Sequence, residues 1–310
     1  MSGHIAIAGG GLVGSGWAIV FARAGESVRI YDADANIRNG IMDVIRGQLE
    51  DLKDNRLVDD VNAILDRIQV CSTLQYAIGG AIYVQESVFE QTDVKTEISA
   101  AIAPLLSDGA VVGSSTSGIP ASDFTENLTN RNRFLVAHPV NPPYLAPIVE
   151  IVPTPWTDES AVESAMALMR TVGQSPVLVR REIKGFLLNR LQGALLREAW
   201  ALFEGGYASA EDIDKTVSEG LGLRWSFMGP FETIDLNAPG GVKDYAERLG
   251  PLYHAIDASR DNPQPWSPDL IRAVEAERRT VLPKADLAKR RNWRDRRLMA
   301  LAAHKASLKD

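Results

Sequence analysis

The chain has 310 residues, 45% of them hydrophobic and 24% charged, so it can form one large domain or two with a buried core. Its formal net charge of -7 argues against a global basic surface for nucleic acid or anionic membranes. The single cysteine, Cys71, excludes an intramolecular disulfide and a thiolate metal cluster, and we expect no bound metal.

Neither a secretory leader nor a membrane-spanning segment is predicted. The first ten residues, MSGHIAIAGG, lack a basic region followed by an apolar region and a cleavage site. No stretch of the sequence approaches the roughly 20 consecutive apolar residues that cross a bilayer. We therefore expect a cytoplasmic protein.

The N-terminal residues predict a strand, a glycine turn, a helix and a second strand. His4 to Ala8 is a short apolar run that stops at three glycines, which is typical of a buried strand. Leu12 to Ala24 is apolar, lacks proline and is followed by Gly25, where a helix C-cap is expected. Ser27 to Tyr31 predicts the second strand. This order, within about 30 residues, predicts a βαβ unit with parallel strands.

Apolar runs and helical patterns continue to alternate up to residue 185. Residues 34–68 predict one long helix or a pair of helices. Further strands are predicted at Ala81–Val84, Ala110–Gly113, Phe134–Ala137, Ile148–Val152 and Pro176–Val179, with helices at Thr92–Leu106 and Glu159–Val172. This alternation predicts an α/β fold whose N-terminal domain, residues 1–185, is a Rossmann-type doubly wound sheet that binds NAD.

From residue 186 onward the pattern becomes helical. Phe186 to Gly205 is a long, mostly apolar stretch without a strand signal, and Ser209 begins another helix with two acidic residues in its first turn. The chain ends in a charged amphipathic run from Lys284 to Lys309. We expect an all-helical C-terminal domain at residues 186–310.

The glycine turn carries the first functional prediction. The spacing G-x-G-x-x-G falls on Gly9, Gly11 and Gly14, between the first strand and helix. Gly9 allows a tight turn, Gly11 lets a pyrophosphate approach the backbone and Gly14 lets the helix pack closely on the strand. The helix N-terminus, at Leu12 and Val13, supplies N–H donors to the same phosphates. A glycine-rich turn can also be purely conformational, but its place between strand and helix favours a dinucleotide.

Asp32 distinguishes between the two nicotinamide cofactors. It ends the second strand, where a carboxylate accepts hydrogen bonds from a ribose hydroxyl and repels a 2′-phosphate. Ala33 and Asp34 offer no arginine that would reverse this preference, and Arg38 is a weak candidate for doing so. The sequence therefore favours NAD over NADP.

Three polar constellations could carry chemistry: the stretch Ser114–Ser117, the stretch AHPVNPP with His138 and Asn141, and Glu150 in IVEIV. Oxidation of an alcohol requires a base, and neutral imidazole is suited to that task. A carboxylate on the other ring nitrogen fixes the tautomer, while serine and asparagine can bind the reacting oxygen. A lone histidine after a strand is more often structural, so the pattern alone leaves both interpretations open.

The motifs SSTS, AHPVNPP, IVEIVP, GFLLNRLQ and GPFET together resemble the 3-hydroxyacyl-CoA dehydrogenase family, in order and spacing, over nearly the whole chain. AHPVNPP and EGLGLRWSFMGP are most similar to its λ-crystallin / L-gulonate 3-dehydrogenase branch. The resemblance implies that His138 is the general base and Glu150 its acidic partner. It further implies that Ser117 forms a hydrogen bond with the substrate oxygen and that Asn189 lies near the same oxygen.

The same resemblance implies further contacts and includes one departure. Asn141 is expected close to the substrate, and Glu90 and Lys95 beside the nicotinamide end of the cofactor. Ser115 stands where most members of the family have an asparagine between serine and threonine. The λ-crystallin branch shares this change, so Ser115 supports the resemblance to that branch.

Arg224 bears on the substrate. An arginine between the apolar residues of the stretch LRWS is costly to bury without an anion, and its fork matches a carboxylate. The alternative is a structural ion pair with Glu219 or Glu232. Together with this carboxylate interpretation, the resemblance to the L-gulonate 3-dehydrogenase branch implies NAD-dependent oxidation of the 3-hydroxyl of a small hydroxy acid, with L-gulonate converted to 3-dehydro-L-gulonate.

Other substrates and another class of function stay open. Carnitine and 3-hydroxybutyryl-CoA are the alternative substrates. An aromatic cage for a quaternary ammonium could draw on Trp17, Tyr144, Trp225 or Phe227, although all four are more often ordinary core aromatics. A non-enzymatic, crystallin-like protein that binds the dinucleotide is the alternative of another class. A homodimer through the C-terminal domain is implied by the resemblance and by the apolar character of Phe186–Phe203.

Overall fold

The computed structural model describes residues 3–259 and 265–308. The chain divides into two compact units: unit 1 comprises the residues up to Gln192 together with those from Arg291 onward, and unit 2 comprises Gly193–Arg290. The boundary expected at residue 185 lies a few residues before the first division. The sequence pattern gives no indication that the C-terminal end returns to unit 1.

Unit 1 is built on an eight-stranded sheet. In chain order its strands are β1 (His4–Ala8), β2 (Val28–Tyr31), β3 (Ile68–Val70), β4 (Ala81–Glu86), β5 (Val111–Ser114), β6 (Phe134–Pro139), β7 (Ile148–Pro153) and β8 (Ser175–Leu178). Their order in space is β3-β2-β1-β4-β5-β6-β7-β8. All neighbouring strands run parallel except β6 and β7, which are antiparallel.

Helices connect most of the strands and are the main elements of the described residues after β8. Those of unit 1 are α1 (Leu12–Arg23), α2 (Ala35–Asp54), α3 (Val61–Leu65), α4 (Leu74–Ile78), α5 (Thr92–Ile102), α6 (Ser122–Thr125) and α7 (Glu159–Thr171). The others are α8 (Leu188–Glu204), α9 (Ala210–Lys215), α10 (Gly222–Trp225), α11 (Pro230–Leu236), α12 (Gly241–Ala258), α13 (Pro268–Val281) and α14 (Leu287–Ser307). Helices α8 and α14 each cross a boundary between the units.

The predicted fold class, a Rossmann-type α/β sheet followed by a helical domain, is confirmed. The helix predicted up to residue 68 is wrong at its end, because β3 begins at Ile68 and pairs with β2. That strand has only three residues, too few for a period-two pattern. Ser209 caps α9 as expected, since its hydroxyl accepts from the N–H of Asp212. Of the predicted C-terminal run, Lys309 lies outside the described residues.

The core of unit 1 lies on both faces of the sheet. One face packs against α1 and α2 through fully buried side chains such as Trp17, Phe21, Ile45 and Leu49. The other face packs through residues that include Ile102. Because both faces are covered, the central strands are continuous apolar runs, which is why β1 is buried at each of its five positions.

The strand order reverses between β1 and β4, which lie side by side at the centre of the sheet. In a doubly wound sheet the connections on either side of such a point leave in opposite directions, and a crevice opens at the carboxyl ends of the strands. The segments that follow β1, β4, β5 and β6 all lie at this edge.

Among the described residues, no helix combines the length and apolar character needed to cross a membrane. Over the same residues, no group of three or more histidine, cysteine, aspartate or glutamate side chains is arranged to hold a metal ion.

Candidate active site

The glycine turn after β1 has the geometry of a phosphate cradle. Gly9 has φ +105°, which favours glycine, and a Cβ at this position would lie 2.5 Å from the carbonyl oxygen of Ser87. A Cβ on Gly14 would overlap the carbonyl oxygen of Gly9, so α1 can approach β1 only without one. Gly11 faces open space, since a Cβ at this position would have no neighbouring atom within 4 Å. Gly9 and Gly14 thus allow the tight turn and the close approach of α1, and Gly11 leaves space for a ligand next to the backbone.

The N-terminus of α1 is available to an anion. Its N-cap, Gly11, provides no side-chain hydrogen bond, and Leu12 at the first helical position is 63% exposed. The first N–H groups of a helix lack partners within the helix and carry the positive end of its dipole. The N–H groups at Leu12 and Val13 therefore suit the pyrophosphate of a dinucleotide, as the sequence predicts.

Asp32 is held in place by the backbone around it. Its Oδ2 accepts a hydrogen bond from the N–H of Gly10 at 2.7 Å, and its Oδ1 accepts from the N–H of Asp34 at 2.8 Å. Each carboxylate oxygen retains a further lone pair for a ribose hydroxyl. The guanidinium of Arg38 donates to the carbonyls of Asp32 and Ala33 at 2.6 and 2.9 Å, and these bonds hold it at the end of β2. The free acceptor positions of the Asp32 carboxylate fit the hydroxyl groups of the adenosine ribose of NAD.

His138 and Glu150 form a buried hydrogen-bonded pair. They are direct partners in the antiparallel register of β6 and β7, so their side chains leave the sheet on the same face. His138 Nδ1 lies 2.7 Å from Glu150 Oε2, and the two residues are only 6% and 2% exposed. The structure thus brings together the two residues that the resemblance pairs.

The environment of Glu150 keeps its carboxylate ionised. Burial raises the pKa of Glu150, but hydrogen bonds from His138, Leu188 and Leu187, together with the charge of His138, outweigh burial, and the pKa lies below its ordinary value. An ionised carboxylate only accepts hydrogen bonds, so His138 Nδ1 carries the proton. In the neutral ring, Nε2 is then the nitrogen with a free lone pair.

Two main-chain groups after residue 185 fix the second oxygen of Glu150. Its Oε1 accepts from the N–H groups of Leu187 and Leu188 at 2.7 and 3.0 Å. The turn that presents them contains Gly185 and Phe186, with φ of +76° and +46°. The ring of Phe186 is fully buried, with its centroid 5.8 Å from that of His138. This packing holds a non-glycine residue in the left-handed region beside the dyad.

The backbone of Ser117 is held from both sides. Its N–H donates to Glu90 Oε1 at 2.8 Å, and its carbonyl accepts from Asn189 Nδ2 at 2.6 Å. Glu90 Oε1 also accepts from the hydroxyl of Thr116 at 2.7 Å and from the N–H of Gly118 at 3.2 Å. Ser117 itself is exposed. Glu90 and Asn189 therefore position the serine, and their predicted contacts with cofactor and substrate stay predictions.

Lys95 lies behind Glu90 rather than at the surface of the crevice. It is 1% exposed, and its Nζ lies 3.0 and 3.1 Å from the two carboxylate oxygens of Glu86 and 3.5 Å from Glu90 Oε2. Glu86 also accepts from the hydroxyl of Ser114 and from the N–H of Val88. The lysine expected beside the nicotinamide thus joins α5 to the ends of β4 and β5.

The remaining predicted residues are placed as follows. Asn141 is exposed in the segment after β6. Arg224 is half-buried in α10 of unit 2, and within the described residues no ion pair joins it to Glu219 or Glu232, so its carboxylate contact stays a prediction. The cage role considered for Trp17 is wrong: its ring is fully buried and stacks on Phe21.

Sequence reasoning missed two buried polar residues at the end of β4. Gln85 and Glu86 are fully buried, and both form hydrogen bonds to residues at the end of β5. The only signal in the sequence is the dipeptide Gln85-Glu86 itself, two polar residues directly after the apolar run Ala81–Val84. Two buried polar residues in that position require partners.

Comparisons with known proteins identify the family to which both parts of the chain belong. The family model "3-hydroxyacyl-CoA dehydrogenase, NAD binding domain" matches residues 4–183, and "3-hydroxyacyl-CoA dehydrogenase, C-terminal domain" matches residues 185–283. The first match confirms NAD as the cofactor. The glycine turn, Asp32 and the buried pair of His138 and Glu150 all lie within the matched NAD-binding domain.

Individual relatives cover most of the chain. The λ-crystallin of Oryctolagus cuniculus is 39% identical over 313 residues, which cover 99% of this chain and 98% of that protein. The L-carnitine dehydrogenase of Streptomyces griseus is 37% identical over 276 residues, covering 87% and 79%. Among solved structures, an NAD+-dependent 5-formyl-3-hydroxy-2-methylpyridine 4-carboxylic acid 5-dehydrogenase has a TM-score of 0.74 at 27% identity, covering 90% of this chain and 95% of that one.

Proposed function

This chain belongs to the 3-hydroxyacyl-CoA dehydrogenase family, and from that premise we propose that it oxidises the 3-hydroxyl of a small free hydroxy acid with NAD. The substrate we propose is L-gulonate, which the reaction converts to 3-dehydro-L-gulonate. The observation that carries the proposal is the buried pair of His138 and Glu150, 2.7 Å apart, in a domain whose glycine turn fits a dinucleotide.

The proposed reaction follows from the hydrogen bond between His138 and Glu150, which places the imidazole proton on Nδ1 and leaves Nε2 free to act as a base. When bound at the glycine turn and Asp32, NAD would supply the acceptor for the hydride of the substrate C3. His138 Nε2 takes the hydroxyl proton, and Glu150 Oε2 stabilises the imidazolium that forms, because it already holds Nδ1–H. The hydroxyl of Ser117 donates a hydrogen bond to the same substrate oxygen. One hydride and one proton leave the substrate, and the C3 alcohol becomes a ketone.

Two observations support a free acid as substrate. Arg224 is half-buried between apolar neighbours, and a guanidinium in such a position favours a carboxylate. Two of the similar proteins are named for compounds with a free carboxylate, L-carnitine and a pyridine carboxylic acid. L-carnitine is therefore the second candidate substrate, and 3-hydroxybutyryl-CoA tests the thioester alternative.

A substrate panel tests the proposal. NADH formation is measured with L-gulonate, L-carnitine, 3-hydroxybutyrate and 3-hydroxybutyryl-CoA. We expect the highest kcat/KM with L-gulonate, and we expect Arg224→Met to raise KM for the free acid far more than for the thioester. Arg272→Met, which removes an exposed arginine of the same unit, is the matched control. A preference for the thioester, or equal effects of Arg224→Met on both substrates, contradicts the free-acid proposal.

No turnover of any of the four compounds, combined with tight NAD binding, favours the non-enzymatic, crystallin-like alternative. Such an outcome is informative because the two functions share the fold and the cofactor site. They differ in whether the dyad of His138 and Glu150 ever receives a hydroxyl proton.

We also propose that the protein is a homodimer through unit 2. In the described residues, helices α8, α9, α10 and α12 bury none of their own residues. Phe227, Phe231 and Leu236 are 71%, 79% and 69% exposed, and large apolar side chains exposed this close together in the sequence favour a protein–protein contact. Light scattering is expected to give twice the chain mass, and Phe231→Glu to reduce it, whereas Val44→Glu, at an exposed apolar position of unit 1, leaves it unchanged. A native monomer at micromolar concentration contradicts this proposal.

A further inference from the structure

A branched network of hydrogen-bonded side chains leads from the core of unit 1 to the end of β4. The hydroxyl of Tyr83 donates to Gln85 Oε1 at 2.9 Å, and Gln85 Nε2 donates to Ser115 Oγ at 2.7 Å. The indole N–H of Trp17 also donates to Ser115 Oγ, at 3.2 Å. Ser115 Oγ in turn lies 2.9 Å from Ser87 Oγ. The two hydrogen bonds donated to Ser115 determine which hydroxyl is the donor in the contact between Ser115 and Ser87.

The orientation of the Gln85 amide is fixed by a neighbour that can only accept. Gln85 Nε2 lies 3.3 Å from the carbonyl oxygen of Ala137. Because a carbonyl oxygen only accepts hydrogen bonds, the amide atom that faces it is the NH2 nitrogen and not the amide oxygen. The indole nitrogen of Trp17 is a donor only. Both Trp17 and Gln85 therefore donate to Ser115, and they use both acceptor positions of its hydroxyl oxygen.

A serine hydroxyl has two acceptor lone pairs and one proton. With both lone pairs of Ser115 occupied, its proton is the only group left to form the 2.9 Å contact with Ser87. Ser115 is therefore the donor and Ser87 the acceptor. The proton of Ser87 then points away from the network, and Ser87 is a donor for whatever lies on its other side.

Ser87 lies beside the phosphate cradle. It directly follows β4, its N–H donates to the carbonyl of Ala8 at 2.7 Å, and its own carbonyl oxygen is the atom that a Cβ on Gly9 would approach to 2.5 Å. It is half-buried, at the point where the strand order reverses. A hydroxyl donor at this place faces the crevice that receives a dinucleotide.

We propose that Ser87 is a cofactor-binding residue that donates its hydroxyl hydrogen bond to an oxygen of NAD. The acceptor is a pyrophosphate oxygen or an oxygen of the ribose next to it. Trp17 and Ser115 are positioning residues, because they fix the direction of the Ser87 hydroxyl without reaching the cofactor themselves. Ser115, at the position where most members of the family have asparagine, thus acts through Ser87.

Calorimetric binding of three ligands to the unmodified protein and to Ser87→Ala tests this role without catalysis. We expect Ser87→Ala to weaken NAD+ binding by about five- to tenfold, the effect of one hydrogen bond. Ser87→Thr keeps the hydroxyl and is expected to bind within about twofold of the native protein. Ser160→Ala, at an exposed serine of α7, is the matched control.

The other two ligands locate the acceptor oxygen. ADP-ribose keeps the pyrophosphate and the second ribose, whereas ADP lacks that ribose. Equal weakening of all three ligands by Ser87→Ala assigns the bond to the pyrophosphate, and weakening of NAD+ and ADP-ribose alone assigns it to the ribose. Unchanged affinity of Ser87→Ala for all three ligands overturns the proposal.

A double-mutant cycle tests the positioning role. Trp17→Phe removes one donor to Ser115, so a lone pair of Ser115 becomes free and the Ser87 proton can turn inward. We expect Trp17→Phe to weaken NAD+ binding by about two- to threefold in the native background and to have no further effect in the Ser87→Ala background. An equal effect in both backgrounds means that Trp17 acts independently of Ser87, which overturns the positioning role.

Discussion

The two oxygens of Glu150 have different partners, and this division explains why a carboxylate is needed there. Oε2 accepts from His138, and Oε1 accepts from the N–H groups of Leu187 and Leu188. An amide in place of the carboxylate could satisfy the main-chain donors with its oxygen, but its NH2 group would then face Nδ1. The imidazole would have to place its proton on Nε2 and would lose the lone pair that accepts the substrate proton.

Glu150→Gln is therefore expected to lower kcat by about 100-fold or more, the usual contribution of a general base. NAD+ affinity is expected to stay within about twofold of the native value, since the substituted side chain lies outside the cradle. Steady-state kinetics and calorimetry measure the two quantities on the same preparation. A kcat within about threefold of the native value would show that the tautomer of His138 does not depend on Glu150.

His138→Ala removes the base itself. Turnover is expected to fall by about 100- to 10,000-fold, while NAD+ binding survives because the residues of the glycine turn are untouched. Full activity of this variant would contradict the assignment of His138 as the general base. Cofactor binding is measured separately by the fluorescence of NADH, so a loss of turnover can be distinguished from a loss of cofactor affinity.

The lowered pKa of Glu150 also has a consequence for stability. A carboxyl whose pKa is lower in the folded state stabilises the fold above its unfolded pKa, and this stabilisation is lost as the pH falls through the folded pKa. The free energy of unfolding is therefore expected to fall more steeply below the ordinary pKa of 4.5 in the native protein than in Glu150→Gln. Urea denaturation at a series of pH values measures both, with Glu163→Gln, at an exposed position of α7, as the control. Parallel curves for all three proteins would contradict the linkage.

At the scale of secondary-structure elements, the site depends on how strand ends are joined. The antiparallel pairing of β6 and β7 places His138 opposite Glu150, and a shift of one residue would turn one of the two side chains to the other face. At the ends of β4 and β5, the buried ion pair of Glu86 and Lys95 holds the strands together with α5. Lys95 connects these strand ends to α5 and touches Glu90, which holds the turn around Ser117.

Because Glu86 and Lys95 are both buried, removing one partner leaves the other as an uncompensated charge. Lys95→Met is expected to lower the free energy of unfolding by about 3–5 kcal/mol. The double variant Glu86→Gln, Lys95→Met is expected to regain part of this loss, because neither charge then remains unpaired. Urea unfolding measures the cycle, and Lys53→Met, at an exposed position of α2, serves as control. A double variant no more stable than Lys95→Met would show that burial of a charge is not the cause.

At the scale of the whole molecule, the sequence predicts the parts of the fold that follow local rules. The glycine turn, Asp32 and the apolar strands are visible because each depends on a pattern a few residues long. His138 and Glu150 were paired by resemblance, since nothing in their spacing of twelve residues reveals an antiparallel register. The Glu86–Lys95 joint and the hydrogen bonds of Ser115 were missed, because they depend on which strands are neighbours in space.

The C-terminal helix illustrates the same limit on a larger scale. Its amphipathic pattern predicts a helix but does not say what the apolar face contacts. In the structure Met299, in α14, is 2% exposed and belongs to the core cluster of unit 1 that also contains Leu49 and Leu52. Its sulfur lies 3.3 Å from the side-chain nitrogen of Asn55, which follows α2. Helix α14 therefore contributes Met299 to the core of unit 1, which contains the NAD-binding sheet.

Met299→Ala is accordingly expected to destabilise unit 1, by about 2–5 kcal/mol, the cost of removing a buried methionine side chain from a packed core. Because the loss is confined to contacts with unit 1, hydrogen exchange is expected to accelerate in α2 more than in α12. Leu301→Ala removes a side chain that is 40% exposed on the same helix, so it controls for changes in helix propensity. Equal effects of the two substitutions, or faster exchange in α12 alone, would mean that the last helix does not stabilise the cofactor domain.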